Sequence, residues 1–161
     1  MTDAVVSASK RIAAKPAEIF AILVNPERHT EFDGSGMLRG ADGAGRLAGP
    51  GAVFSMKMYH DRFGHYEMIN TVVEYEPERL IAWEPARRDG LRNWHYRWRY
   101  ELAPQDDGTT VVTESFDLSR CPDEAWEATE GGTVWADPIA ESLAQLERLC
   151  TSSGATKGHR R

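Results

Sequence analysis

The segment Trp94-His95-Tyr96-Arg97-Trp98-Arg99-Tyr100-Glu101 constrains the fold of this chain more than any other. Large aromatics alternate strictly with charged or polar residues, and successive side chains of a β-strand point to opposite faces. The alternation predicts a two-faced strand, with Trp94, Tyr96, Trp98 and Tyr100 on one side and His95, Arg97, Arg99 and Glu101 on the other. Two settings accommodate a face of four rings. One is a core packed with large aromatics. The other is a cavity wall, where indole N–H and phenol O–H groups meet a bound molecule.

Strands dominate the rest of the chain. Val5–Ile12 reads as a first strand, with polar residues interleaved among small apolar ones. A helix follows, with Pro16 in the first turn, where proline is tolerated, and Ile19, Phe20 and Leu23 at helical spacing. Asn25-Pro26 stops it and starts a second short helix through Phe32, with Asn25 as its cap. After a short strand over 37–40, Gly43, Gly45, Gly49 and Gly51 lack the spacing of a phosphate loop and read as turns.

Phe54, Met56 and Met58 then alternate with Ser55, Lys57 and Tyr59, and Asp61-Arg62-Phe63-Gly64 reads as a hairpin turn. A four-residue turn places Met58 opposite Glu67, Met56 opposite Ile69 and Phe54 opposite Thr71 on one face, and leaves Glu74 on the other. Strands are also predicted at 80–84 and 110–118, and alternation leaves the face of Trp83 open. A connecting region from Asp123 leads to a helix opened by Pro138, on which Ile139, Leu143, Leu146 and Leu149 or Cys150 form an apolar stripe. Residues 151–161 read as a disordered tail after a single domain over 1–150.

Composition narrows the partners. The chain has 161 residues and a net charge of −6, which disfavours nucleic acid or an anionic membrane surface as the main partner. No apolar run approaches the roughly 20 residues that span a bilayer, so no stable membrane insertion is expected. The N-terminus lacks a signal-peptide layout, and a cytoplasmic location is expected. The two cysteines, Cys121 and Cys150, lie far apart without a CxxC or Cys/His cluster, so no metal and no cofactor are expected. A monomer or homodimer is expected.

Four segments carry a family resemblance: Ile12-Ala13-Ala14-Lys15-Pro16-Ala17-Glu18-Ile19-Phe20-Ala21-Ile22-Leu23, Asn25-Pro26-Glu27-Arg28-His29-Thr30-Glu31-Phe32, Val73-Glu74-Tyr75-Glu76-Pro77-Glu78-Arg79-Leu80-Ile81-Ala82-Trp83, and Gly108-Thr109-Thr110-Val111-Val112-Thr113-Glu114-Ser115-Phe116-Asp117-Leu118. They resemble the SRPBCC superfamily of START, Bet v 1 and polyketide cyclase/dehydrase-like proteins. The resemblance implies an α+β helix-grip fold. A curved antiparallel sheet of about seven strands wraps a long C-terminal helix, with two short helices after the first strand. It also implies a cavity between sheet and helix that holds a hydrophobic, aromatic or polycyclic small molecule of lipid or polyketide type. A fold of this kind hosts many functions, so the site residues must decide.

The expected cavity face comprises Phe54, Met56, Met58, Ile69, Val73, Trp94, Tyr96, Trp98 and Tyr100, with Ile139, Leu143 and Leu146 from the helix. Methionine suits a wall that adapts to a ligand. An alternative is a polyketide cyclase/aromatase or dehydratase. His60 and Glu67 at the cavity rim would then exchange protons, and Tyr96 and Tyr100 would donate to a developing enolate. His29 and His95 are expected at the surface. No nucleophile constellation is present: Ser35 in Gly34-Ser35-Gly36 lacks the elbow spacing.

Overall fold

The computed structural model describes residues 4–42, 45–91 and 93–159, with the side chains of the last helix described through Thr151. Its strands are β1 (Val5–Ile12), β2 (Leu38–Asp42), β3 (Val53–His60), β4 (Gly64–Glu76), β5 (Leu80–Arg87), β6 (Arg97–Pro104) and β7 (Thr110–Asp117). The helices are α1 (Pro16–Leu23), α2 (His29–Phe32), α3 (Asp123–Ala128) and α4 (Ala136–His159), with 3-10 turns at Pro26–Arg28 and Thr133–Trp135. All strands join one antiparallel sheet in the order β1-β7-β6-β5-β4-β3-β2, so a six-strand meander is completed by β1 beside β7. This is the helix-grip architecture: an open curved sheet, two short early helices and a long C-terminal helix.

Local chemistry sets the early helices. Pro16 opens α1, whose Ile19, Phe20, Ile22 and Leu23 are buried. Asn25 Oδ1 accepts a hydrogen bond from the Glu27 N–H (3.2 Å), capping the turn that leads into α2. α4 lies over β1 and β7 and reaches α2. Its Ile139, Leu143 and Leu146 are almost completely buried, each contributing about 1.5–3 kcal/mol of apolar burial. α4 stays helical through His159, across part of the stretch for which the sequence predicts a disordered tail.

The β3–β4 hairpin is one residue tighter than predicted. His60 pairs with Gly64, whose positive φ of 72° suits a glycine at the end of a three-residue turn. Met58 therefore pairs with Tyr66, Met56 with Met68 and Phe54 with Asn70, rather than with Glu67, Ile69 and Thr71. A slip of one residue exchanges the faces of a strand, so Glu67 and Ile69 stand on the outer face, opposite Lys57 and Ser55. A bulge at Val73 then restores the original parity, because Val72 pairs with Trp83 and Glu74 with Ala82. Glu74 faces outward in either register, so its position could not expose the slip.

The aromatic strand also starts later than predicted. His95 adopts a left-handed conformation (φ 61°), and regular strand begins only at Arg97. β6 pairs with β5 solely through Leu80–Trp83 and Trp98–Glu101. Beyond Trp83 the rest of β5, including Pro85, has only β4 as a strand neighbour, a setting that tolerates a residue without an N–H. Arg97 spans the divergence on the outer face, donating to Glu84 Oε2 (2.7 Å) and Glu74 Oε2 (3.0 Å).

Candidate ligand-binding site

A cavity of about 650 Å³ lies between the inner face of the sheet, α2, α3 and the start of α4. The inward residues of four strands build one wall. β3 gives Phe54, Met56 and Met58; β4 gives Tyr66, Met68 and Asn70; β5 gives Trp83; β6 gives Trp98 and Tyr100. Trp94 and Tyr96 line it as well, although they precede the regular strand. Ile139 comes from α4, but Leu143 and Leu146 pack into the core behind the wall, and Pro138 and Ser142 take their place. Ile69 and Glu67 lie on the outer face, and Val73 is the bulged residue and lies off the wall.

The residues 123–135 do more than connect. α3 and the following turn bring Ala128, Thr129, Val134 and Trp135 to the cavity. Trp135 meets Trp98 edge to face, with centroids 5.1 Å apart, and lies 5.8 Å from Phe116. The loop after α2 is held against α4, where the Ser142 hydroxyl accepts from the Gly34 N–H (2.8 Å). A Cβ on Gly34 would stand 2.3 Å from the Pro138 carbonyl oxygen, so only glycine allows this approach. Asp33, in the same loop, reaches the cavity while accepting from the Ser35 and Gly36 N–H groups.

His29 is buried at 3% exposure, not at the surface as its polar surroundings in sequence suggest. Its ring stacks on Trp83 (5.2 Å) and meets Phe54 edge to face (5.4 Å). Nε2 lies 2.8 Å from the Leu23 carbonyl oxygen, to which it donates. Burial lowers its pKa to about 4, outweighing the Leu23 carbonyl, so the imidazole is neutral at neutral pH. His95 is exposed. His60 does line the cavity rim, but its Nδ1 accepts from the Arg62 N–H and its ring stacks on Phe63. Glu67 is bound on the other face by Arg88 (2.7 Å), so the pair predicted for proton exchange is divided by the sheet.

A different carboxyl occupies the interior. Glu114 lies directly across from Tyr100 in the β6–β7 ladder, 3% exposed and on the cavity wall. Burial raises its pKa to about 8, against a hydrogen bond from Tyr100 that favours the ionised form; nearby Asp33 raises it further. Burial, then the charge of Glu114, likewise pushes the Tyr100 phenol well above its ordinary range. At neutral pH the carboxyl is chiefly uncharged. The sequence carried a signal for it: Glu114 shares the parity of Val112 and Phe116 on β7.

Among the described residues, no group of three or more His, Cys, Asp or Glu side chains is placed to hold a metal ion. Nor is any helix long and apolar enough to cross a membrane.

The family described as polyketide cyclase/dehydrase and lipid transport matches residues 3–151. The chain belongs to this family. That membership bears out the SRPBCC resemblance, and solved structures agree on the fold. Ms6760 from Mycobacterium smegmatis superposes with a TM-score of 0.69 at 15% identity, covering 95% of this chain and 96% of that one. Ara h 8.0201 does so with a TM-score of 0.61 at 12% identity, covering 92% and 97%. The uncharacterized protein Rv0088 of Mycobacterium tuberculosis (strain ATCC 25618 / H37Rv) is 37% identical over 113 residues, which is 70% of this chain and 46% of that protein. The chain thus spans about half the length of the curated relatives it matches. As a member of the polyketide cyclase/dehydrase and lipid transport family, it has a fold suited to hydrophobic ligands.

Proposed function

We propose that the protein binds a hydrophobic, ring-containing small molecule in the cavity between the sheet and α4. One observation carries this reading: a space of about 650 Å³ walled by Trp83, Trp94, Tyr96, Trp98, Tyr100 and the four methionines Met37, Met56, Met58 and Met68. Small-molecule sites typically enclose about 300–1,000 Å³ and combine apolar walls with a few polar groups. Flat rings stack on indole and phenol faces, and the methionines adapt to their edges. Native mass spectrometry of the protein purified from its own host tests the reading. A co-purifying hydrophobic compound is expected in the wild type and is expected to be lost in folded Trp98→Ala. Retention by folded Trp98→Ala of the same compound at the same occupancy overturns the placement.

A second reading, a polyketide cyclase or dehydratase, is favoured by Glu114. An uncharged buried carboxyl beside a phenol can protonate a carbonyl oxygen, and the carboxylate so formed can take the proton from the neighbouring carbon, which leaves the enol and restores the acid. His60 and Glu67 are too separated to share that task. Under this reading the same spectrum shows a substrate retained by Glu114→Gln and a dehydrated or cyclised product with the wild type.

A further inference from the structure

Charge changes sign along the cavity. Its carboxyl groups, Asp33 and Glu114, belong to the end built around Trp83, where Glu114 faces Tyr100 across the β6–β7 ladder and Tyr100 stacks on Trp83 (5.7 Å). Its arginines, Arg62 and Arg87, belong to the opposite end. Between the two, β3 runs from Phe54, which packs on Trp83, to His60 beside the turn that carries Arg62, a length of about 20 Å. Contacts join the cationic end into one cluster. Arg87 lies over the Tyr66 ring (5.5 Å), Tyr66 meets Phe63 edge to face (6.4 Å), and Phe63 stacks on His60 (4.8 Å). His60 Nδ1 accepts from the Arg62 N–H (3.0 Å), which leaves Nε2 to carry the hydrogen of the neutral ring. This end opens to solvent, since Arg62 is exposed and Phe63 is 49% exposed.

We propose that Arg62 and Arg87 form an anion-binding mouth that selects amphiphilic acids and fixes their direction, with the carboxylate or phosphate at the mouth and the apolar body along β3 toward Trp83. The inference rests on the reading of the cavity as a binding site. Asp89 holds Arg87 through Nε (3.2 Å) and Nη2 (2.6 Å), which fixes the guanidinium and leaves Nη1 without a described partner. The Arg62 side chain has no hydrogen-bond or ion-pair partner among the described residues. Guanidinium groups only donate, and they take carboxylate or phosphate oxygens through charge-assisted hydrogen bonds. Seated at the mouth, the anion keeps part of its hydration. In the reverse direction it would enter the apolar interior and stand beside Asp33, which costs far more.

Four probes with one apolar body separate the possibilities: para-octylbenzoate, para-octylphenyl phosphate, para-octylbenzyl alcohol and para-octylbenzylamine. They are titrated at neutral pH by ligand-observed NMR, below the concentrations at which they aggregate. The wild type is expected to bind the tighter of the two anions about ten-fold more strongly than the alcohol or the amine, and which anion that is tells a carboxylic acid from a phosphate ester as the source. Arg62→Gln, an exposed change that leaves the core intact, is expected to lose most of the preference while keeping affinity for the alcohol. Arg46→Gln, which removes an exposed arginine off the cavity, is expected to retain it. The preference is also expected to shrink with added salt, because the mouth is open to solvent. Binding of the alcohol or the amine as tight as that of both anions overturns the inference and leaves the binding reading standing, as does a preference that survives in the double variant Arg62→Gln/Arg87→Gln. Failure of all four probes to bind overturns the binding reading, and the inference with it.

Discussion

Glu114 and His29 sit in the same wall, and their titrations move stability in opposite directions. The Glu114 pKa rises from 4.5 to about 8 on folding, so between those values the native state holds a proton that the unfolded chain has lost. Stability therefore falls as pH rises through that window. The His29 pKa drops from 6.5 to about 4, so the unfolded chain holds the extra proton and stability rises with pH across that interval. The two effects oppose each other up to about pH 6.5, and above it the Glu114 decline stands alone, with a slope of at most about 1.4 kcal/mol per pH unit. The charged or titratable groups beside Glu114 are Asp33 and Tyr100. Denaturant titrations at several pH values are expected to show stability falling between pH 6.5 and 8 in the wild type and flat in Glu114→Gln. A parallel fall in both proteins would remove Glu114 as its source. In the sequence Glu114 was marked as buried only by its parity with Val112 and Phe116, and His29 not at all. His29 lies in a polar helical stretch, and its burial is imposed by Trp83 and Phe54, distant in the chain.

Elements were legible where local chemistry decides them. Proline at a helix start, asparagine at a cap, period-two alternation and an apolar helical stripe located α1, α2, β1, β7 and the start of α4 closely. Register was not legible, because it turns on whether a hairpin loop has three residues or four. That single residue moved Ile69 and Glu67 out of the cavity and brought Tyr66, Met68 and Asn70 in. The bulge at Val73 repaired the parity downstream; β6 presents its rings inward as the alternation predicts, and Trp83 of β5, whose face the alternation left open, turns inward too. Contacts between elements were hidden for a related reason. Gly34 reads as one glycine in a loop, yet it is the point where that loop meets α4. Gly34→Ala is expected to cost about 1–3 kcal/mol as overpacking. It is also expected to weaken ligand capture, because Ser142 and Pro138 must move to admit the methyl group. A thermal melt unchanged from the wild type would show that the contact yields freely.

At the scale of the whole molecule, the sheet is not one uniform surface. β1, β7 and β6 carry continuous ladders, with α4 packed on β1 and β7, whereas β5 and β6 part company after Trp83 and Trp98. From there side-chain contacts tie the halves together on the outside: Arg97 with Glu74 and Glu84, and His95 Nδ1 4.0 Å from Glu84 Oε1. Backbone amides that lack a ladder exchange with solvent through shallow openings, so residues 93–96 are expected to exchange deuterium much faster than β7. A molecule held between Trp83 on one half and Tyr96 on the other would act as a rivet across the seam, slowing that exchange without adding a strand. Uniform protection across both regions before any ligand is added would mean that the seam is closed by other contacts. With the seam as described, occupancy of the cavity can be read as a change of tempo in the backbone, even before the occupant has been identified.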